Sequence, residues 1–379
     1  MSLKKLKQIS VWLASALMGA TSWAEAPRFN LREGVTQVSR DIYQLHMYAV
    51  WVCVGIGIVV FGAMFYSIWK HRRDNHPEPA KFHHSTLVEV VWTTIPFLIL
   101  IALAVPATRT LIEIEDNSNA ELNVLVTGYQ WKWSYKYLDG PAAGIEFYSN
   151  LSTPREQIEG KAPKGEHYLL EVDNPLVLPV GKKVRFLVTA KDVIHSWFVP
   201  DFGVKQDAIP GFINEAWAKP EVPGIYRGQC AELCGKDHGF MPIVVDVKSE
   251  ADFEKWVADK KAEIAAAKKA AEEAAARSWS KEDLMKKGKE VFAARCAACH
   301  GAEGKGTGPF PALDGSKVAT GPVEAHIDIV LHGRNAMPAW AGQLTDAEIA
   351  AVITYERNAW SNKTGDLVQP ADVAAHKKQ

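Results

Sequence analysis

Two stretches of the chain are apolar without the polar interruptions of a soluble helix. Met47 to Trp69 runs for 23 residues and Val90 to Thr108 for 19, neither with a formal charge. About 20 such residues cross the hydrocarbon core of a bilayer, so the pattern predicts two membrane spans. The loop between them, "KHRRDNHPEPAKFHH", holds Lys70, Arg72, Arg73 and Lys81. Basic residues in a short loop mark the cytoplasmic side, which sends everything from about Leu111 onward to the opposite face. Ahead of the spans, Lys4, Lys5 and Lys7 precede a shorter apolar run, Ile9 to Ala20, and then "TSWAEA". Its Ala24-Glu25-Ala26 fits a signal-peptidase pattern and predicts a secretory signal over 1–26, cut after Ala26 or after Ala24; an uncleaved anchor is the other reading. Cys53 stands alone in the first span and reads as a small packing residue.

Beyond the spans the pattern changes twice. Residues 121–247 alternate apolar and polar positions between Pro/Gly turns, as in "ELNVLVTGYQWKWSYKY", "HYLLEVDNPLVLPV", "KKVRFLVTA" and "PIVVDV". This period of two predicts the strands of an antiparallel sandwich or barrel. Residues 249–280 are dominated by Ala, Lys and Glu and predict a helical linker with little core of its own. Residues 281–362 carry helical segments, "KEDLMKKGKEVFAARCAACH" and "TDAEIAAVITYERNAW", and predict a small all-α domain. The expected organisation is a signal over 1–26, a two-helix transmembrane anchor over 40–112, an all-β domain over 120–248, a linker over 249–280, a helical domain over 281–362 and a tail over 363–379.

Composition narrows the function. Apolar residues make up 47% and the net charge is -1, which excludes a disordered chain and a nucleic-acid binder by bulk charge. The all-β region carries 13 basic and 16 acidic residues and the helical domain 9 and 10, too even a balance to name a docking partner. There are five cysteines, too few for a disulfide framework, and four of them form two close pairs. Such pairs point to metal or cofactor chemistry.

The second pair lies in "CAACH", Cys296-Ala-Ala-Cys299-His300, the pattern of c-type haem attachment. Two thiols suit thioether bonds to the haem vinyl groups, and His300 then sits against the iron. Met337, in "GRNAMPAW", is the only methionine after His300 and is the expected sixth ligand, ahead of His326 and His332. A thioether ligand raises the haem potential and suits an electron carrier. A thioredoxin-type redox pair is disfavoured by the adjoining His, the loop "GAEGKGTGPFPAL" and the lack of a βαβ pattern. Over its whole length this segment resembles a class I cytochrome c domain.

The first pair lies in "QCAELCGKDHGFM", where Cys230, Cys234, His238 and Met241 follow one another at spacings of four, four and three. Upstream, "DVIHSWFVP" places His195 after a strand. Zinc held by Cys230, Cys234, His195 and His238 would leave Met241 without a role. Thiolate, imidazole and thioether together favour copper, and a mononuclear blue-copper site needs only one Cys. A second thiolate fits two coppers bridged by both sulfurs. A Cys230–Cys234 disulfide stays open in an oxidising compartment.

The full pattern, His195 and then Cys230-x-Glu232-x-Cys234-x3-His238-x2-Met241, resembles the CuA site of subunit II of haem–copper cytochrome c oxidases. "EVDNPLVLP", "DAIPG" and "GQCAELCG" share its style, and the resemblance covers roughly residues 40–248. It implies a cupredoxin-like sandwich holding a dinuclear copper centre. His195 and Met241 would serve one copper, His238 and the Glu232 carbonyl the other, with Cys230 and Cys234 bridging both. It also implies that the Glu232 side chain reaches a magnesium ion shared with subunit I. The haem domain resembles the C-terminal extension of some bacterial subunits II. No CuA ligand is missing, which argues against the quinol oxidase subunits that have lost the copper.

Two further residues gain an expected role from this resemblance. Trp131, in "GYQWKWSYKY", corresponds to the tryptophan that admits electrons near the copper. Glu89, in "LVEVVWTTIP", corresponds to a proton-uptake glutamate at the cytoplasmic end of the second span. The expectation is an electron-input subunit of a proton-pumping oxidase in the bacterial inner membrane, with its sandwich and haem domains on the periplasmic side. It would pass electrons from a soluble cytochrome c or similar donor through haem c and CuA to subunit I, where oxygen is reduced to water; subunit III would be a further partner. This chain lacks the intramembrane histidines that oxygen reduction needs. The alternatives are a free-standing membrane-anchored electron carrier and a CuA-type nitric oxide reductase subunit; the two spans speak against nitrous oxide reductase.

Overall fold

A computed structural model of the chain describes residues 30–78, 83–335 and 337–377. The expected signal over 1–26 and the loop residue Lys81 lie outside the described residues. The chain divides into two compact units, residues 1–257 and 258–379.

The first unit opens with two long helices, α1 (Gln37–Lys70) and α2 (Thr86–Glu115). Both exceed the predicted spans. At 1.5 Å per residue, the 34 residues of α1 extend about 50 Å, more than the hydrocarbon thickness, so one end projects. That end is the N-terminus, where Thr36 and Ser39 form a reciprocal capping box. Apolar side chains cover these helices all round, and no residue of α2 is buried. A helix that is apolar on every face matches lipid or protein neighbours, not water.

A sandwich of ten strands follows: β1 (Leu122–Tyr129), β2 (Lys132–Tyr137), β3 (Glu146–Ser149), β4 (Leu176–Pro179), β5 (Val184–Ala190), β6 (His195–Val199), β7 (Val204–Ala208), β8 (Asn214–Ala218), β9 (Gly224–Cys230) and β10 (Pro242–Lys248). One sheet has the order β3-β2-β1-β5-β8 and the other β4-β10-β9-β6-β7. Leu122, Val124 and Val126 of β1 alternate inward opposite Val184, Phe186 and Val188 of β5. Trp133, Trp197 and Phe186 complete a core whose aromatic members are fully buried.

The sandwich is not purely antiparallel as the alternation suggested. β1 pairs with β5 in parallel, and so does β4 with β10. The period of two is identical in either orientation, so patterning alone could not tell them apart. "HYLLEVDNPLVLPV" also contains less strand than it reads: a turn holds 166–169, Leu169 has φ of 61°, and only Leu176–Pro179 pairs in the sheet.

The sandwich grips the projecting helix ends. The Thr36 hydroxyl donates to the Phe202 carbonyl at 2.9 Å, and the Val35 N–H to the Asp201 carbonyl at 2.8 Å. Arg40 pairs with Glu221 at 2.7 Å, and the Trp217 indole N–H donates to the Glu113 carbonyl of α2 at 3.1 Å. The sheets are thereby fixed to the membrane anchor.

A long helix, Glu250–Ala276, leaves the sandwich. Its first two turns are not bare linker, because Phe253, Trp256 and Val257 pack into the sandwich core. The second unit contains α5 (Lys281–Val291), a π turn at Phe292–Cys296, α6 (Ala297–His300), α7 (Val323–His332), α8 (Asp346–Asn358) and α9 (Pro370–His376); α3 is the single turn Arg155–Ile158 and α4 the long helix. Leu284, Phe292, Leu331 and Ile353 form its core. The segment expected as a tail over 363–379 contributes to that core through its described residues, which run to 377. Val368 and Val373 are buried, Arg357 pairs with Asp366, and the Trp279 N–H donates to Gln369 at 3.0 Å. Its apolar residues are too sparse to show a period in the sequence.

Candidate metal centre and haem cavity

The six donors expected from the sequence meet at one end of the sandwich. His195 opens β6, Cys230 closes β9, and Cys234, His238 and Met241 follow on the loop into β10. The sulfurs of Cys230 and Cys234 lie 3.9 Å apart. His195 Nδ1 lies 3.9 Å from Cys230 Sγ, and Met241 Sδ 3.5 Å from Cys234 Sγ. The Glu232 carbonyl oxygen lies 3.3 Å from Cys230 Sγ, and His238 Nδ1 3.4 Å from Cys234 Sγ. The remaining donors therefore fall as one per sulfur on each expected copper. Cys230, Cys234 and Met241 are buried in the sandwich core, so the end of β9 and the packed loop that follows it set the spacing.

Electrostatics support a cationic occupant. Burial opposes ionisation of Cys230, yet His195 and the surrounding hydrogen bonds hold its pKa below the usual thiol value. Burial and the neighbouring Cys230 charge push Cys234 up instead. Two thiolates this close repel each other unless metal charge lies between them. Two soft sulfurs, two imidazoles, a thioether and a carbonyl fit a copper pair and not a zinc ion.

The residues around the donors had no signal in the ligand motif. Asp192 Oδ1 lies 2.9 Å from His195 Nε2 and so turns Nδ1 toward the sulfurs. Burial opposes the His195 cation, but Asp192 and Cys230 outweigh it and push its pKa up to about 9. Gly128 on β1 makes room for the same ring, since a Cβ there would lie 2.8 Å from His195 Cδ2. A carboxylate three residues before a candidate ligand could have been picked out in advance; Gly128 could not, because only the fold brings it near.

Trp131 is half-buried beside the ligand loop. Its indole N–H donates to the Cys234 carbonyl at 3.2 Å, joined there by Gln130 Nε2 at 2.8 Å. The Glu232 side chain is exposed while its carbonyl faces Cys230. Glu89 lies in the first turn of α2, far along the chain from these donors.

In the second unit, Cys296, Cys299, His300 and Met337 all line one cavity of about 430 Å³. His300 Nδ1 donates to the Pro311 carbonyl at 2.9 Å, which leaves Nε2 for a metal. Met337 is presented by a tight turn in which Arg334 and Met337 exchange backbone hydrogen bonds at 3.0 and 3.1 Å. Gly333 permits that turn: its φ is 73°, and a Cβ would lie 2.4 Å from the Met337 carbonyl. Leu313, Val330, Trp340 and Val352 make most of the remaining wall apolar. Of the alternatives to Met337, His332 is exposed and bonded to Asp328, whereas His326 lines the cavity with Nε2 engaged by Glu356. Paired thiols, a carbonyl-oriented His and a facing Met in an apolar hollow fit a haem.

Fold and site together define a membrane-anchored electron-transfer protein, with a cupredoxin-like domain joined to an all-α cytochrome c domain. The family model for the transmembrane domain of cytochrome c oxidase subunit II matches residues 24–110, and that for its periplasmic domain matches 122–248. The model for cbb3-type cytochrome c oxidase subunit III matches 283–355. A probable cytochrome c oxidase subunit 2 of Rickettsia bellii is 38% identical over 258 residues, covering 67% of this chain and 93% of its own. Cytochrome c oxidase subunit 2 of Cereibacter sphaeroides is 37% identical over 231 residues, covering 58% of this chain and 76% of its own. Among solved structures, the periplasmic domain of subunit II of cytochrome oxidase of Bradyrhizobium japonicum is 44% identical, covering 38% of this chain and 96% of that one, with a TM-score of 0.34. The chain belongs to the cytochrome c oxidase subunit II family. It is part of an oxidase complex, and the matched domains point to copper and haem as its cofactors.

Proposed function

We propose that the chain is the electron-input subunit of a proton-pumping terminal oxidase, with a dinuclear CuA centre on the sandwich and a covalent haem c in the helical unit. When bound, these groups supply one-electron transfer between a soluble cytochrome c or similar donor and subunit I, where oxygen is reduced to water. The observation that carries this reading is the convergence of His195, Cys230, Cys234, His238, Met241 and the Glu232 carbonyl around two sulfurs 3.9 Å apart. Relatives named as oxidase subunits disfavour a free-standing carrier or a nitric oxide reductase subunit.

Each residue has a distinct task in this reading. Cys230 and Cys234 would hold the copper pair, Cys230 from the end of β9 and Cys234 from the buried loop that follows, so that little moves when charge changes. Asp192 keeps the His195 ring turned toward the site. Trp131 admits electrons, its indole already hydrogen-bonded to the backbone of a bridging cysteine. The exposed Glu232 side chain would reach a magnesium ion shared with subunit I. Glu89 takes up protons at the cytoplasmic end of α2. Cys296 and Cys299 would hold the haem, and His300 and Met337 would supply the ligands to its iron. Subunits I and III are the membrane partners, and the bacterial inner membrane is the site, with both outer domains periplasmic. The proposed domains are a signal over 1–26, an anchor over 40–112, a copper domain over 120–248, a linker over 249–280 whose first turns pack on the copper domain, and a haem domain over 281–362 against which the segment from 363 packs.

Metal and haem analysis of the purified complex, with EPR and near-infrared spectra, tests this. The expected result is two coppers and one haem c per chain with a mixed-valence two-copper signal. A complex that lacks that signal refutes the copper assignment, and oxygen uptake with reduced cytochrome c separates oxidase from carrier.

A further inference from the structure

Two ionisable side chains with no ligand role in that reading face the haem cavity. His326 on α7 and Glu356 on α8 both line it. Their side chains are only 3% and 5% exposed, and His326 Nε2 lies 2.9 Å from a Glu356 carboxylate oxygen. The other ring nitrogen, Nδ1, is buried without a hydrogen-bond partner. A buried ion-capable pair is often less stabilising than an apolar pair of the same volume, so packing alone does not account for it. Its reach does. Burial is the main reason the Cys296 thiol is raised, and the Glu356 charge is the next. A charge felt at Cys296 is felt by the group that Cys296 holds.

The other charged groups nearby are committed elsewhere or screened. Arg295 and Arg334 line the cavity but are exposed to solvent. Arg357, next to Glu356 on α8, is bound to Asp366 and to the carbonyls of Ala319 and Gly321. His376 of α9 lies 3.7 Å from the exposed Asp328. His300 is held by Pro311. Glu356 is thus the carboxylate set into the apolar wall itself.

We propose that the Glu356 carboxylate, held in place by His326, sets the redox potential of the haem by stabilising its oxidised form. Oxidised iron carries one more positive charge than reduced iron, and a carboxylate in an apolar wall is weakly screened, so it favours that charge. His326 and Glu356 act here as potential-determining residues and not as ligands.

The inference rests on the haem assignment above, and its test is a spectroelectrochemical titration of the purified complex read at the c-type haem band. At a fixed electrode potential, Glu356→Gln raises the ratio of reduced to oxidised haem about tenfold or more, which for one electron is about 59 mV. An unchanged ratio overturns the proposal. If that variant does not take up haem, Ile329→Glu decides: a second carboxylate on the same wall lowers the ratio of reduced to oxidised haem. An unchanged or raised ratio in Ile329→Glu overturns the proposal. A wild-type complex without any c-type haem band is a separate result that removes the haem assignment instead.

Discussion

The copper site and the haem cavity solve the same task by opposite means. On the sandwich, donors from β6, β9 and the following loop lie within 4 Å of a cysteine sulfur before any metal is considered. In the helical unit the donors surround a hollow of about 430 Å³. The first site is set by two strand ends and a loop packed into the sandwich core, and its occupant can only tune it. The second is a core whose packing depends on a large apolar group. Loss of cofactor should thus be a local event in one unit and a folding event in the other.

The largest predicted effect breaks the comparison if it fails. Cys296→Ser with Cys299→Ser prevents haem attachment. At about 24 cal/mol per Å³ of unfilled cavity, the cost is on the order of 10 kcal/mol, comparable with the whole stability of a small domain. The helical unit should lose its cooperative thermal transition while that of the sandwich remains, as read by calorimetry and limited proteolysis. A haem-free helical unit with an unchanged transition would show that the cavity is not an integral part of the core.

Next in size, Cys230→Ser removes one bridge and should abolish the mixed-valence copper signal while circular dichroism of the sandwich stays the same. Cys230 adds little to a core dominated by Trp133, Trp197 and Phe186. If the sandwich unfolded as well, the metal would be a structural staple and the contrast between the two units would vanish.

Most of the chemistry was legible because it lies close together along the chain. Cys230 to Met241 and Cys296 to His300 are short-range motifs, and the spans are long apolar runs. What stayed hidden depends on partners far apart in sequence. Asp192 matters only because β6 turns the His195 ring back onto it, and Gly128 only because β1 passes behind that ring. His326 and Glu356 lie 30 residues apart, and neither resembles a motif. The parallel pairing of β1 with β5 and the packing of Val368 and Val373 were lost for the same reason: periodicity records which face is buried, not what covers it.

A smaller effect sharpens how far preassembly goes. Asp192→Asn keeps the shape but weakens the hold on His195 Nε2. Removal of such a partner typically lowers metal affinity about 10- to 100-fold. Copper retention against a chelator should fall by that factor, with the EPR spectrum altered in the His195 couplings and the fold intact. Gly128→Ala should do the same by crowding the ring from the other side. Equal retention in both variants would mean that the strands alone orient His195.

The smallest effect concerns where the site is held and not how it is made. Arg40 and Glu221 join α1 to the sandwich across a partly exposed pair, with side chains 28% and 42% accessible. Such pairs contribute about 0–1 kcal/mol. The same junction also has the Thr36 hydroxyl on the Phe202 carbonyl and the Val35 N–H on the Asp201 carbonyl, which no change at Arg40 removes. Arg40→Ala should therefore leave the copper spectrum unchanged and shift the sandwich transition by a degree or two at most. A clear spectral change would mean that strain at the membrane end reaches the donors through β6 and β9, and that the preassembled site is less independent of its anchor than its geometry indicates.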